Sequence, residues 1–141
     1  MAKYTAVAAQ TVAADQNVIL TNDVIGCRTG NVLHRADSGV VTLRGVTRGC
    51  FARYRVSFGA NIAIPAGGAV APISVALTIN GETIGSAIAI VTPAAAEDFF
   101  HVSLDDYIDV PCGCCVSLAV RNVSDDDITV QNANLIITRE A

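Results

Sequence analysis

Apolar and polar residues alternate along this chain in short runs. Turn-forming residues interrupt the runs at intervals of roughly 8 to 12 residues, the spacing of an all-β sandwich. A period of two marks strands with one face buried. The clearest run is 73–79, with Ile73, Val75, Leu77 and Ile79 on one face and Ser74, Ala76 and Thr78 on the other. Asn80-Gly81 follows; both residues tolerate positive φ, which predicts a tight hairpin returning over 83–91. The same reading predicts strands over 4–12, 17–20, 32–35, 40–44, 50–64, 98–104, 114–122 and 128–139. Two strands assign faces directly. In the first, Ala52, Tyr54, Val56 and Phe58 point to the core, and Phe51, Arg53, Arg55 and Ser57 point away. In the second, Cys114, Val116, Leu118 and Val120 point inward, and Cys115, Ser117, Ala119 and Arg121 point outward.

No run carries a long helical period, and residues 93–97 offer at most one helical turn. Eight to ten short antiparallel strands fit an all-β, two-sheet sandwich. No repeat, linker or composition break divides the chain, so 1–141 reads as a single domain. Apolar stretches break well before the roughly 18 residues a spanning helix needs, which argues against membrane insertion. The first ten residues lack a signal-peptide apolar core, so synthesis without Sec-type export is expected.

Composition adds an expectation about partners. Hydrophobic residues make up 52% and charged residues 16%; an average domain carries about 25% charged residues. So little charge favours a chain that hides surface in an oligomer. The net charge of −4 is uneven: residues 1–60 hold seven Lys/Arg against three Asp, and residues 61–141 hold two Arg against ten acids. Eight of the nine bases are Arg, which suits planar pairing with carboxylates. The two halves are expected to face each other, within the fold or between subunits. A nucleic-acid patch is the weaker reading, and no nucleic-acid partner is expected.

The side chains that carry chemistry give no site. Cys27, Cys50, Cys112, Cys114 and Cys115 are odd in number and cannot all pair within one chain. Buried free thiols are expected. A disulfide between Cys27 and Cys50, or between subunits near a threefold axis, stays open. Cys112-x-Cys114-Cys115 supplies three ligands in the wrong spacing for zinc or iron–sulfur, so no metal or cofactor is expected. His34 and His101 sit in no nucleophile motif. Asp105-Asp106 with Asp109, and Asp125-Asp126-Asp127, read as solvated turns; calcium, or a neighbour's arginines, are the alternatives. Gly59 and Gly67-Gly68 lack the Lys and helix of a phosphate loop.

The order of segments resembles the tumour-necrosis-factor and complement-globular-head superfamily, in its bacterial and phage branch. The resemblance runs from Gln10 to Arg139. It rests on Gln10-Thr11-Val12-Ala13-Ala14 with Val18-Ile19-Leu20, and on Val41-Thr42-Leu43-Arg44 with residues 51–58. It rests further on residues 75–82 around Asn80-Gly81, and on residues 116–120 followed by Ala133-Asn134-Leu135-Ile136-Ile137. The resemblance implies a ten-stranded, TNF-like jelly roll that packs as a tight homotrimer through its inner sheet, without catalysis. Members serve as receptor ligands, spore-surface knobs or phage surface proteins. This chain shows neither a collagen-like stalk nor a long membrane anchor.

The function expected is therefore a non-enzymatic structural module. It is a homotrimeric virion surface protein, a phage head fibre or capsid decoration protein, assembled in the host cytoplasm with capsid or other particle proteins as partners. The alternative is a lectin-like module at a bacterial cell surface that binds glycans or a host receptor. With no Trp, three Tyr and four Phe, stacking rings for sugar are scarce. The expected subunit interface is Phe51, Arg53, Arg55 and Ser57 together with Cys115, Ser117, Ala119 and Arg121, the two strands being placed in one inner sheet by the resemblance. Far-ultraviolet circular dichroism should show β-structure, and a helix content above about a quarter would contradict the two-sheet reading.

Overall fold

A computed structural model describes residues 1–26, 30–35 and 37–140. None of these is helical. Eleven strands form in chain order: β1 (Ala2–Ala6), β2 (Gln10–Val12), β3 (Asn22–Ile25), β4 (Val32–His34), β5 (Val40–Arg44), β6 (Phe51–Ala63), β7 (Ile73–Ile79), β8 (Glu82–Val91), β9 (Phe100–Pro111), β10 (Cys115–Asn122) and β11 (Ile128–Arg139). The first sheet runs β3-β1-β11-β6-β9, with β2 also on β11; the second runs β4-β5-β10-β7-β8. All the pairings are antiparallel. This is the two-sheet sandwich expected from the alternation, with the jelly-roll fold that the resemblance implies.

The inward residues of both sheets form one buried cluster that includes Tyr4, Tyr54, Phe58, Ile62, Leu77, Leu118 and Leu135. Burying each such side chain contributes roughly 1.5–3 kcal/mol. Tyr54 brings a hydroxyl into this cluster, and the hydroxyl donates to the Arg44 carbonyl at 2.6 Å. Buried Asn122 fixes the turn between β10 and β11. Its amide nitrogen donates to the carbonyls of Val12 (3.0 Å) and Asp126 (2.9 Å), and its oxygen accepts from Ser124 N–H and hydroxyl.

Several predicted elements differ from the fold. The run 4–12 is two strands, because β11 bulges between Gln131 and Asn134, with Asn132 at φ 55°. The N-terminal strand must break opposite that bulge, and Asn132 N–H reaches Val7 O instead. Residues 17–20 form only isolated bridges, although Val18 N–H bonds Val120 O beyond the end of β5. Residues 93–97 hold no helical turn; Glu97 sits at φ 65° and its N–H bonds Ile64 O. β3 was not foreseen, since its four residues are all exposed and carry no alternation.

The β7–β8 hairpin has the expected two-residue turn. Ile79 pairs with Glu82, and Asn80 and Gly81 lie at φ 52° and 85°. Gly45 is needed for a different reason. Its N–H bonds Cys114 O and its own carbonyl accepts from Gly113 N–H, so backbone presses on backbone where the sheets meet. A methyl group there would overlap the Pro111 carbonyl oxygen. Gly81→Val is expected to destabilise by roughly 1–3 kcal/mol through backbone strain, and Gly45→Ala by at least as much. Denaturant midpoints equal to the wild type would contradict these assignments.

Candidate functional site

The solvent face of the first sheet is richest where β6 meets β9. Their ladder runs without a shift from Phe51↔Pro111 to Ile62↔Phe100. Alternation sends Ala52, Tyr54, Val56 and Phe58 inward and leaves Phe51, Arg53, Arg55 and Ser57 outward. On β9, Val102, Leu104, Ile108 and Val110 go inward, while Asp105, Tyr107 and Asp109 go outward. The predicted strand ended at Leu104 and read the aspartates as turns. They lie in mid-strand instead, and β9 keeps its period of two through them.

Opposite charges then meet across the ladder. Arg53 binds Asp109 with two parallel bonds, Nε–Oδ1 at 2.7 Å and Nη2–Oδ2 at 3.0 Å. Arg55 reaches diagonally to Asp105, at 3.2 Å and 2.7 Å, and Ser57 donates to the same carboxylate at 3.3 Å. The Arg53 guanidinium also lies 5.0 Å from the centre of the Phe51 ring. Hydrogen bonds from Arg55 and from Arg53 hold the Asp105 and Asp109 carboxyls below the ordinary carboxylate range. The same contacts raise both arginines. Tyr107, directly opposite Arg55, is 57% exposed. It borders a shallow depression of about 260 Å³ with Arg53 and Asp109.

Farther along this face the chemistry turns polar and uncharged. Gly59 leaves a gap flanked by the Asn134 amide and the His101 ring. His101 Nδ1 lies 3.2 Å from Asn61 Oδ1. Asn134 Oδ1 is shielded from solvent and has no hydrogen-bond partner among the described residues.

The second half of the expected interface lies elsewhere. Cys115, Ser117, Ala119 and Arg121 are on β10, in the second sheet. They cannot share one face with Phe51, Arg53, Arg55 and Ser57 of β6, because the core separates the two sheets. Their contacts are also internal. Ser117 N–H bonds Asn80 Oδ1 at 2.9 Å and Arg121 Nη1 bonds Gly81 O at 3.0 Å, holding the hairpin turn. Ala119 is buried beside Thr78.

Other expectations change as well. Cys50, Cys112, Cys114 and Cys115 are free but exposed, not buried. Cys114 is not a core residue, since it closes a turn by donating to Pro111 O before β10 begins. Cys27, and with it a Cys27–Cys50 bond, lies outside the described residues. Asp125 to Asp127 do occupy a turn, at a groove of about 410 Å³ floored by Ile64 and Ile73. Among the described residues no three His, Cys, Asp or Glu side chains converge to hold a metal ion. His34 is held inside by Asp23 Oδ1 at 2.6 Å and Ser38 O at 3.0 Å, with its ring against Tyr4. Tyr4, Tyr54 and Phe58 are core, whereas Phe51, Phe99, Phe100 and Tyr107 are exposed.

No protein-family model matches the sequence, and no curated protein matches it. Solved structures do. The globular domain of zebrafish complement 1qA protein superposes with a TM-score of 0.58 at 9% identity, covering 96% of this chain and 94% of that one. Murine APRIL gives 0.55 at 11% identity, covering 95% and 97%. The chain has the TNF/C1q-like jelly-roll fold. The C-terminal domain of EclA, a sugar-binding protein, aligns at 21% identity over 94% of this chain and 79% of that one, with a TM-score of 0.44.

The ladder's charge pairing has a definite pH sign. Asp105 and Asp109 are lowered in the folded chain, so their contribution is complete above the ordinary carboxylate range and is lost as pH falls through the lowered values. In carboxyl-carbon NMR titrations, Asp109 should titrate below 3.8, and Arg53→Ala should move it back up. An unchanged midpoint in that variant would contradict the pairing.

Proposed function

We propose that this chain is a non-enzymatic module that associates with copies of itself, as a homotrimer, through the β6–β9 face of its first sheet. The observation that carries this reading is the make-up of that face. Exposed Phe51 and Tyr107 lie among charges already neutralised within the chain. Burying a free arginine would leave a charge stripped of water and unpaired. Burying a bidentate Arg–Asp pair beside aromatic rings costs much less, and aromatic and Arg side chains are those enriched at protein interfaces. This replaces the expectation that one chain's arginines meet another's Asp125 to Asp127 turn. The trimeric state and the inner-sheet contact follow from the superfamily resemblance.

The assembled module serves as a structural protein at a particle surface, a virion head fibre or capsid decoration protein made in the host cytoplasm. This step is supported by the phage-branch resemblance alone. A second reading, a glycan-binding module, draws on one feature: the exposed Tyr107 ring flanked by hydrogen-bonding Arg53 and Asp109 could stack a sugar.

Light scattering on the purified chain should give about three times 14.6 kDa. Tyr107→Asp should weaken association about tenfold or more, as expected for a central aromatic anchor. Ile90→Arg, on the exposed face of the second sheet, should leave it unchanged. A monomer at micromolar concentration, or dissociation by Ile90→Arg alone, would refute the proposal. Chemical-shift changes confined to Tyr107 and its neighbours on titration with simple glycosides would favour the glycan reading.

A further inference from the structure

Four exposed free cysteines come from two segments, 45–51 and 111–115, that meet at one end of the sandwich. The β6–β9 ladder ends at Phe51↔Pro111, but its hydrogen bonding continues one step further. Cys112 N–H donates to the Cys50 carbonyl at 3.0 Å, which sets these two cysteines opposite each other in the same register. Opposed residues in an antiparallel ladder have Cα atoms about 4.5–5.5 Å apart. A disulfide needs about 4.4–6.8 Å. Cys114 and Cys115 have no such partner, because Cys114 caps the turn and Cys115 pairs with Arg44 in the second sheet. Cys112 Sγ donates to Thr47 O at 3.4 Å, a contact it would give up to bond Cys50.

We propose that Cys50 and Cys112 form a redox-sensitive disulfide site, oxidised by exchange with a small-molecule disulfide such as oxidised glutathione. One cysteine, as its thiolate, attacks a sulfur of the reagent; the reagent's S–S bond breaks and one glutathione thiolate leaves. The other cysteine thiolate then attacks the protein sulfur of the mixed disulfide, forming the Cys50–Cys112 bond and releasing the second glutathione. The two thiol protons end on the two departing glutathiones, and two electrons pass from protein to reagent. The bond would pin the end of the β6–β9 ladder beside Phe51 and Arg53. Because it restrains the unfolded chain more than the folded one, the oxidised form resists unfolding better. The pair lies within one chain, so neither the site nor its test depends on self-association.

The test is non-reducing peptide mapping of the whole chain after treatment with oxidised glutathione and alkylation. The expected result is a Cys50–Cys112 linked peptide, alkylated Cys114 and Cys115, and a higher thermal midpoint that dithiothreitol reverses. Cys50→Ser and Cys112→Ser should each abolish both effects, and Cys114→Ser should keep them. If a serine variant fails to fold, the wild-type map decides alone. Glutathione adducts that persist on Cys50 or Cys112 without a link would overturn the proposal. A link through Cys27, Cys114 or Cys115, or a cross-link between chains, would overturn it as well.

Discussion

The pairing of β6 with β9 is the constraint on which most of the molecule depends. β6 is the longest strand, and it touches both the core and the candidate surface along its whole length. Because side chains alternate strictly, a slip of one residue would send Tyr54, Val56 and Phe58 to solvent and the arginines into the core. Burial of three large side chains on one face and charge pairing on the other therefore select the same register. Each reinforces the other: Arg53 finds Asp109 only when Tyr54 stands opposite Ile108.

The ladder also explains how the chain tolerates its uneven charge. Arg53 and Arg55 of the basic first half lie on β6 and Asp105 and Asp109 of the acidic second half on β9, so the sheet itself brings these four together. Exposed ion pairs of this kind add little to stability. Their larger effect is on what the surface can meet. A face with unpaired arginines would attract polyanions, whereas one with bidentate pairs presents little net charge together with Phe51 and Tyr107. The uncharged stretch around Gly59, Asn61, His101 and Asn134 extends that face without adding charge.

Much of the architecture was legible in the alternation. Residues 40–44 and 73–79 are strands with the expected bounds, the Asn80-Gly81 turn lies where both residues can adopt positive φ, and the β6 faces are as read. The failures have local causes. Asp105, Asp106 and Asp109 resemble a turn in composition, yet Val102, Leu104, Ile108 and Val110 keep the strand period. That period was the stronger signal. The bulge at Asn132, which splits the first strand, depends on a partner strand more than a hundred residues away and leaves no mark in residues 4–12. Sheet membership was the largest error. Alternation tells which residues of β10 point outward, but not which sheet β10 joins. It was the resemblance that put Cys115, Ser117, Ala119 and Arg121 in the inner sheet, and β10 lies on the far side of the core from β6. The pairing of Cys50 with Cys112 was hidden for a similar reason, since it follows from the β6–β9 register.

In the proposed assembly, copies of this chain meet on one particular face, that of β6 and β9. Hydroxyl-radical footprinting of the unmodified protein, across a wide range of concentrations, reads that face directly. Oxidation of Phe51 and Tyr107 should fall as the assembly forms, while Leu33 and Ile90, exposed on the second sheet, should label equally throughout. Protection of Leu33 and Ile90 with Phe51 and Tyr107 unchanged would place the contact on the opposite sheet and contradict the account.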